Sequence, residues 1–175
     1  LDFGKVLGLV TGFLDEQGFR YAVIGAVALA AYGLPRTTMD LDFVVESSAQ
    51  EDLIRFLESR GYQTLYRSSG YSNHRHSDPN WGSVDFVYIG EETSRELFAA
   101  SRTAEGPGGS SMPLPKPEHL VALKIVAMKN NPARAFQDMA DIRFLIHLPG
   151  VDRREVQGYF DRHGMKDRFD ELERS

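Results

Sequence analysis

The chain has 175 residues, of which 42% are apolar and 26% charged, with a formal net charge of -5 and no cysteine. Such a composition excludes disordered, collagen-like and coiled-coil classes and leaves one globular domain or a compact pair. Without cysteine there is no disulfide framework, no thiolate metal site and no thiol nucleophile, so any metal takes oxygen or histidine ligands.

From Phe3 to Gln17, apolar residues recur at the three-and-four spacing of a helix with one buried stripe, and Gly18 stops it. Tyr21 to Ile24 predicts a short strand that turns at Gly25 into an alanine-rich helix closed by Gly33. Asp40 to Val45 predicts a second strand, Ala49 to Ser59 an amphipathic helix capped by Ser47 or Ser48, and Tyr62 to Tyr66 a third strand. The polar stretch from Tyr71 to Trp81 carries a turn at Asp78-Pro79-Asn80. It leads into the strand Ser83 to Ile89, so a hairpin is expected there. A helix near Ser94 to Ala100 precedes the Gly/Pro/Ser-rich run at 106–117, the expected connection between a core at 1–105 and a helical part at 118–175. Beyond Pro117 four helices are expected: one through Asn130 or Asn131, then Ala135 to His147, Arg153 to Arg162 and Lys166 to Glu173. Strands mixed with helices, then helices alone, predict an α+β core with a mixed sheet flanked by helices and a C-terminal helical bundle.

Charge is unevenly spread: residues 1–115 hold 9 basic and 15 acidic side chains, residues 116–175 hold 11 and 10. The acidic part calls for a cation, and no strongly basic nucleic-acid footprint is present. The sequence has no run of about 18 apolar residues and no basic segment leading to a cleavage site, so a cytoplasmic protein without membrane attachment is expected.

Asp40-Leu41-Asp42 is the most informative feature, because residues two apart in a strand project to one face with Cα atoms roughly 6.6 to 6.8 Å apart. Two carboxylates so placed disfavour each other unless a cation lies between them, and hard carboxylate oxygens suit magnesium. Asp85, within the apolar run Val84-Asp85-Phe86-Val87, is the third candidate, since a neighbouring strand lies only about 4.8 Å away. The competing reading has Asp40 cap or end a loop, with Asp42 and Asp85 facing water on edge strands. Upstream, the glycine of Ile24-Gly25-Ala26 lets backbone amides approach a phosphate, although a tight turn under a packing helix accounts for it equally. Arg36 and Thr38, just before the carboxylates, are candidate phosphate partners.

Ile24-Gly25-Ala26, thirteen intervening residues, Asp40-Leu41-Asp42 and the later strand-borne Asp85 resemble the signature of the DNA polymerase β-like nucleotidyltransferase superfamily. Within it, the stretch from Gly25 to Val45, Pro117-Glu-His-Leu-Val-Ala-Leu-Lys124 and Asp138-Met-Ala-Asp141-Ile-Arg-Phe-Leu look most like the small bacterial AbiEii-like toxin group. The likeness covers about residues 21 to 147. It departs at Ala26, where the pattern has Gly or Ser, so a hydroxyl contact to phosphate is lost while the backbone amides remain.

The resemblance implies transfer of a nucleoside monophosphate from a nucleoside triphosphate to an acceptor hydroxyl. Asp40 and Asp42 would bridge two magnesium ions about 3.5 to 4 Å apart, and Asp85 would complete the acceptor-side metal site and take the proton. Gly25 and Ala26 would meet the phosphates. The implied acceptors are an RNA end, a protein hydroxyl or a small molecule, with RNA or protein ahead of a drug. A toxin would also have a cognate antitoxin, and the rival reading is a catalytically silent nucleotide-binding or protein-interaction module of the same fold.

Among the remaining residues, Lys124 lies in apolar surroundings where a charge wants a partner, and it joins Lys129 as a candidate phosphate contact. Asp138 and Asp141, with Arg143, read first as helix-surface or interhelix pairs. His74 and His76 alternate as strand residues do, but their polar neighbours predict a hydrated loop rather than a two-histidine metal site. Tyr71, Trp81 and Tyr88 are expected to pack the core in preference to stacking on a ligand.

Overall fold

A computed structural model describes residues 1–174. The chain divides into two compact units, Leu1–Pro115 and the residues from Lys116 onward. The first unit begins with α1 (Phe3–Gln17), whose start is capped by the Asp2 carboxylate accepting from the Lys5 amide at 3.1 Å. Its stripe of Val6, Leu7, Val10 and Leu14 is fully buried.

Five strands form one sheet: β1 (Tyr21–Val23), β2 (Asp40–Glu46), β3 (Tyr62–Arg67), β4 (Tyr71–His76) and β5 (Ser83–Ile89). They lie in the order β1-β2-β5-β4-β3. All neighbours are antiparallel except the central pair, β2 and β5, which run parallel. Between these strands lie α2 (Gly25–Ala31) and α3 (Gln50–Ser59), and α4 (Glu91–Ala99) follows β5. Alternation sorts the two faces. Leu41, Phe43, Val84 and Phe86 lie on one side in a cluster with the stripes of α1 and α3, while Asp40, Asp42 and Asp85 lie on the other. The Phe43 and Phe86 rings stack at 5.4 Å, which secures the central pair from beneath.

The Gly/Pro-rich run expected as a connection is itself structured. Arg102–Glu105 (β6) and Ser111–Leu114 (β7) form an antiparallel hairpin whose Met112 and Leu114 are buried in the first unit. Pro113 is tolerated because a two-stranded ribbon leaves every strand an edge.

The second unit contains α5 (Pro117–Asn130), α6 (Ala135–Ile146), α7 (Arg153–Arg162) and α8 (Lys166–Arg174). Pro117 at the first turn suits α5, and Asp152 caps α7 by accepting from the Arg154 and Glu155 amides. Glu118 is buried and accepts from the Asp152 amide at 2.7 Å, tying α5 to the start of α7. Among the described residues no helix is long and apolar enough to cross a membrane.

Candidate active site

Parallel pairing of β2 with β5 places Asp42 directly beside Asp85, with Asp40 one pleat along the same face beside Ser83. One carboxylate oxygen from each of Asp40, Asp42 and Asp85 lies within 4.8 Å of the other two. Among the described residues this is the one group of acids and histidines placed to hold a metal ion. All three side chains are half-buried, and their donor set of hard oxygens fits a divalent cation of the magnesium kind.

A different local device sets each carboxylate. Asp40 accepts from the Thr38 hydroxyl. Asp42 lies against Gly25: the Ile24 amide donates to the Asp42 carbonyl at 2.9 Å, and a Cβ on Gly25 would fall 1.9 Å from Asp42 Oδ2. Gly25 also has φ of +65°, so sterics and backbone conformation both demand glycine there. Asp85 accepts from the Tyr71 hydroxyl at 2.7 Å on Oδ2 and from the Asn73 side-chain amide on Oδ1.

Of the residues expected to contact nucleotide, Ala26, Arg36 and Thr38 line a cleft of about 480 Å³. Val27, Ala30 and Ala31 of α2, Phe3, and Glu105 to Pro107 with Met112 complete most of its wall. Gly25 stands at the head of α2 against Asp42. In the second unit the Lys124 amine lies 3.0 Å from Asp138 Oδ1 and 2.6 Å from Asp141 Oδ2, and both carboxylates are almost wholly buried. Asp138 and Asp141 thus pair between helices, as expected, with Lys124 as their cation; Lys129 is exposed.

The histidines depart from expectation. His74 lies in β4 rather than a hydrated loop and is fully buried, its ring 2.8 Å from Ser72 Oγ and 3.1 Å from Thr64 Oγ1. Burial lowers its pKa to about 4, against a small upward pull from Glu58. His76 is held by the Arg60 carbonyl and the Asp78 amide. Polar neighbours disguised this strand because Ser72, Thr64 and Tyr88 are the partners that let a histidine be buried. Tyr71 and Asn73 were not singled out as Asp85 partners. The available signal was the alternation of Tyr71, Asn73 and Arg75 in a strand flanking the one that carries Asp85.

The sequence model of the family described as "Nucleotidyl transferase AbiEii toxin, Type IV TA system" matches residues 14–175. The chain belongs to this family. It is therefore a nucleotidyltransferase, acting on a nucleotide substrate. No curated protein matches it in sequence.

Solved structures share its fold at low identity. The antibiotic-resistance factor ANT(2'')-Ia superposes with a TM-score of 0.66 at 14% identity, over 97% of this chain and 94% of that one. The lincosamide antibiotic adenylyltransferase LnuA, bound to lincomycin, gives 0.53 at 15% identity, over 82% and 96%. A CCA-adding enzyme gives 0.50 at 14% identity, over 96% of this chain and 45% of that one. The α+β fold with its five-stranded mixed sheet is that of the nucleotidyltransferases.

Proposed function

We propose that this AbiEii-family chain moves a nucleoside monophosphate from a nucleoside triphosphate to an acceptor hydroxyl, with Asp40, Asp42 and Asp85 as metal ligands and catalytic residues. The observation that carries this reading is the convergence of three carboxylates from two adjacent strands within 4.8 Å of one another. In the reaction the acceptor oxygen forms a bond to the α-phosphorus, the bond to the bridging oxygen breaks, and pyrophosphate leaves. Magnesium held by these carboxylates supplies Lewis-acid stabilisation of the phosphoryl oxygens and activation of the hydroxyl. Asp85, oriented by the hydrogen bonds it accepts from Tyr71 and Asn73, takes the acceptor proton.

Gly25 and Ala26 admit the phosphates to the backbone, and Arg36 and Thr38 approach them from the cleft wall. Lys124 and Lys129 complete the proposed nucleotide set, Lys124 through a charge already shared with Asp138 and Asp141. The domain reading keeps a catalytic core at 1–105 and a helical subdomain at 118–175; of the run at 106–117 between them, the residues to Pro115 belong to the first unit and carry β7.

For the acceptor we favour an RNA end or a protein hydroxyl over a small molecule. The family description as a toxin supports this, although the fold is also that of an antibiotic-resistance factor. The same description supports a toxin role and a cognate antitoxin, and we place the chain's action in the cytoplasm. The test is calorimetric titration of each nucleoside triphosphate with and without magnesium, on the wild type and on Asp40→Asn/Asp42→Asn. Magnesium-dependent binding that the double variant loses supports the reading, and failure of the folded wild type to bind any triphosphate defeats it.

A further inference from the structure

Asp85 differs from Asp40 and Asp42 in having a register partner on both sides, because the pairing of β1 with β2 reaches only to Phe43 whereas β5 is paired at Asp85 with both β2 and β4. On one side stands Asp42 in direct register, a like charge across roughly one strand spacing of about 4.8 Å. On the other stands β4, whose Asn73 is the register partner of Asp85 and whose Tyr71 projects from the same face one pleat away. Left to itself, a carboxylate so placed turns away from the neighbouring anion and toward solvent.

We propose that Tyr71 and Asn73 are positioning residues that hold Asp85 as an oriented anion facing Asp42. The inference rests on the metal-site reading given above and assigns to β4 a role in it. The Tyr71 hydroxyl donates to Asp85 Oδ2 at 2.7 Å and the Asn73 amide donates to Oδ1, so each carboxylate oxygen has its own donor. Rotation about the carboxylate axis breaks both bonds together. Both donors are neutral, so the orientation is set without cancelling the charge that attracts a cation, as a lysine or arginine in their place would do.

The device is itself braced from the edge of the sheet. Pairing of β3 with β4 shifts register between Thr64 and Tyr66, so that Tyr66 rather than Leu65 stands opposite Asn73. A bulge of this kind moves a side chain to the other face of a strand. Here it sets the Tyr66 ring 6.0 Å from the Tyr71 ring, on the face that carries Asp85. One row of register partners thus runs Asp42, Asp85, Asn73, Tyr66 across four strands.

The test uses Mn2+ as the probe, with and without a nucleoside triphosphate, and calorimetry as the readout, so no acceptor is needed. Tyr71→Phe and Asn73→Leu remove the donors while keeping side-chain volume. Each is expected to weaken Mn2+ binding about tenfold with the melting temperature little changed, and the pair to approach the loss seen in Asp85→Asn. Tyr71→Phe keeps its ring against Tyr66 and stays folded, so it decides the matter if Asn73→Leu does not fold. Mn2+ affinity within twofold of wild type in Tyr71→Phe, alongside a large loss in Asp85→Asn, overturns the positioning role and leaves the metal site standing. Absence of Mn2+ binding by the wild type overturns both.

Discussion

The molecule holds two groups of buried or half-buried aspartates and treats them in opposite ways. In the second unit, Asp138 and Asp141 are almost wholly buried and converge on the Lys124 amine, with Arg134 also 3.3 Å from Asp138. In the first unit, Asp40 and Asp85 take hydrogen bonds from the neutral donors Thr38, Tyr71 and Asn73, and the three half-buried acids crowd one another. A buried carboxylate paired with an internal ammonium has its charge balanced from within the chain. Neutral donors orient a carboxylate without themselves supplying a countercharge. The number of acids is thus less informative than the identity of their partners.

This contrast is most exposed to disproof at Lys124. Lys124→Met leaves two buried carboxylates without their ammonium and is expected to cost about 3–5 kcal/mol, read as a lowered midpoint in denaturant unfolding. A loss under about 1 kcal/mol would mean that the second group is not held by its cation. Asp42→Asn tests the other side. Nucleotidyl transfer should fall by about 10²–10³-fold, on the scale of losing one strong electrostatic contact in a reacting site. Stability should change far less than in Lys124→Met; a comparable fall would make Asp42 a structural acid.

Acid probes the opposite face of the same sheet, where His74 is held by Ser72 and Thr64. The folded chain keeps this ring neutral down to about pH 4, whereas the unfolded chain protonates it near pH 6.5. Stability from this source is therefore complete above about pH 6.5 and falls as pH drops toward 4, by about 3 kcal/mol in all. His74→Gln should flatten that part of the stability profile, and an unchanged slope would relocate the proton uptake. The smallest effect is the mirror of the Lys124 result. Magnesium with a nucleoside triphosphate should raise the wild-type unfolding free energy by about 2.7 kcal/mol at a ligand concentration near 100 Kd. Asp42→Asn should show little of this, and equal stabilisation of both would place the ligand elsewhere.

Much of this fold is legible residue by residue. The stripe Val6, Leu7, Val10, Leu14 announces α1, and DLDFVV announces β2, because helix and strand periods are properties of the local chain. Gly25 and the Asp40/Asp42 pair are legible for the same reason: their spacing is short and one strand-turn-helix unit contains them. Asp85 is recognisable as an acid out of place in an apolar strand. β4 is not legible in this way. Its Ser72 and His74 look like loop residues until their partners Tyr88 and Thr64 arrive from other strands, and a composition that appears hydrated is in fact a satisfied buried network. The hairpin of β6 and β7 hides likewise behind its glycines and prolines, since only packing shows that Met112 and Leu114 are buried.

Near neighbours and their periodicity sufficed for the main helices, for β1, β2, β3 and β5, for the acids worth attention and for the nucleotidyltransferase resemblance. Tertiary structure alone decided that Asp42 and Asp85 are register partners, that Gly25 is required by the space Asp42 fills, and that Tyr71 and Asn73 hold Asp85. Register between strands 40 or so positions apart is set by which whole faces can be buried together. That is a global balance of apolar burial and polar satisfaction, which no short window of residues contains.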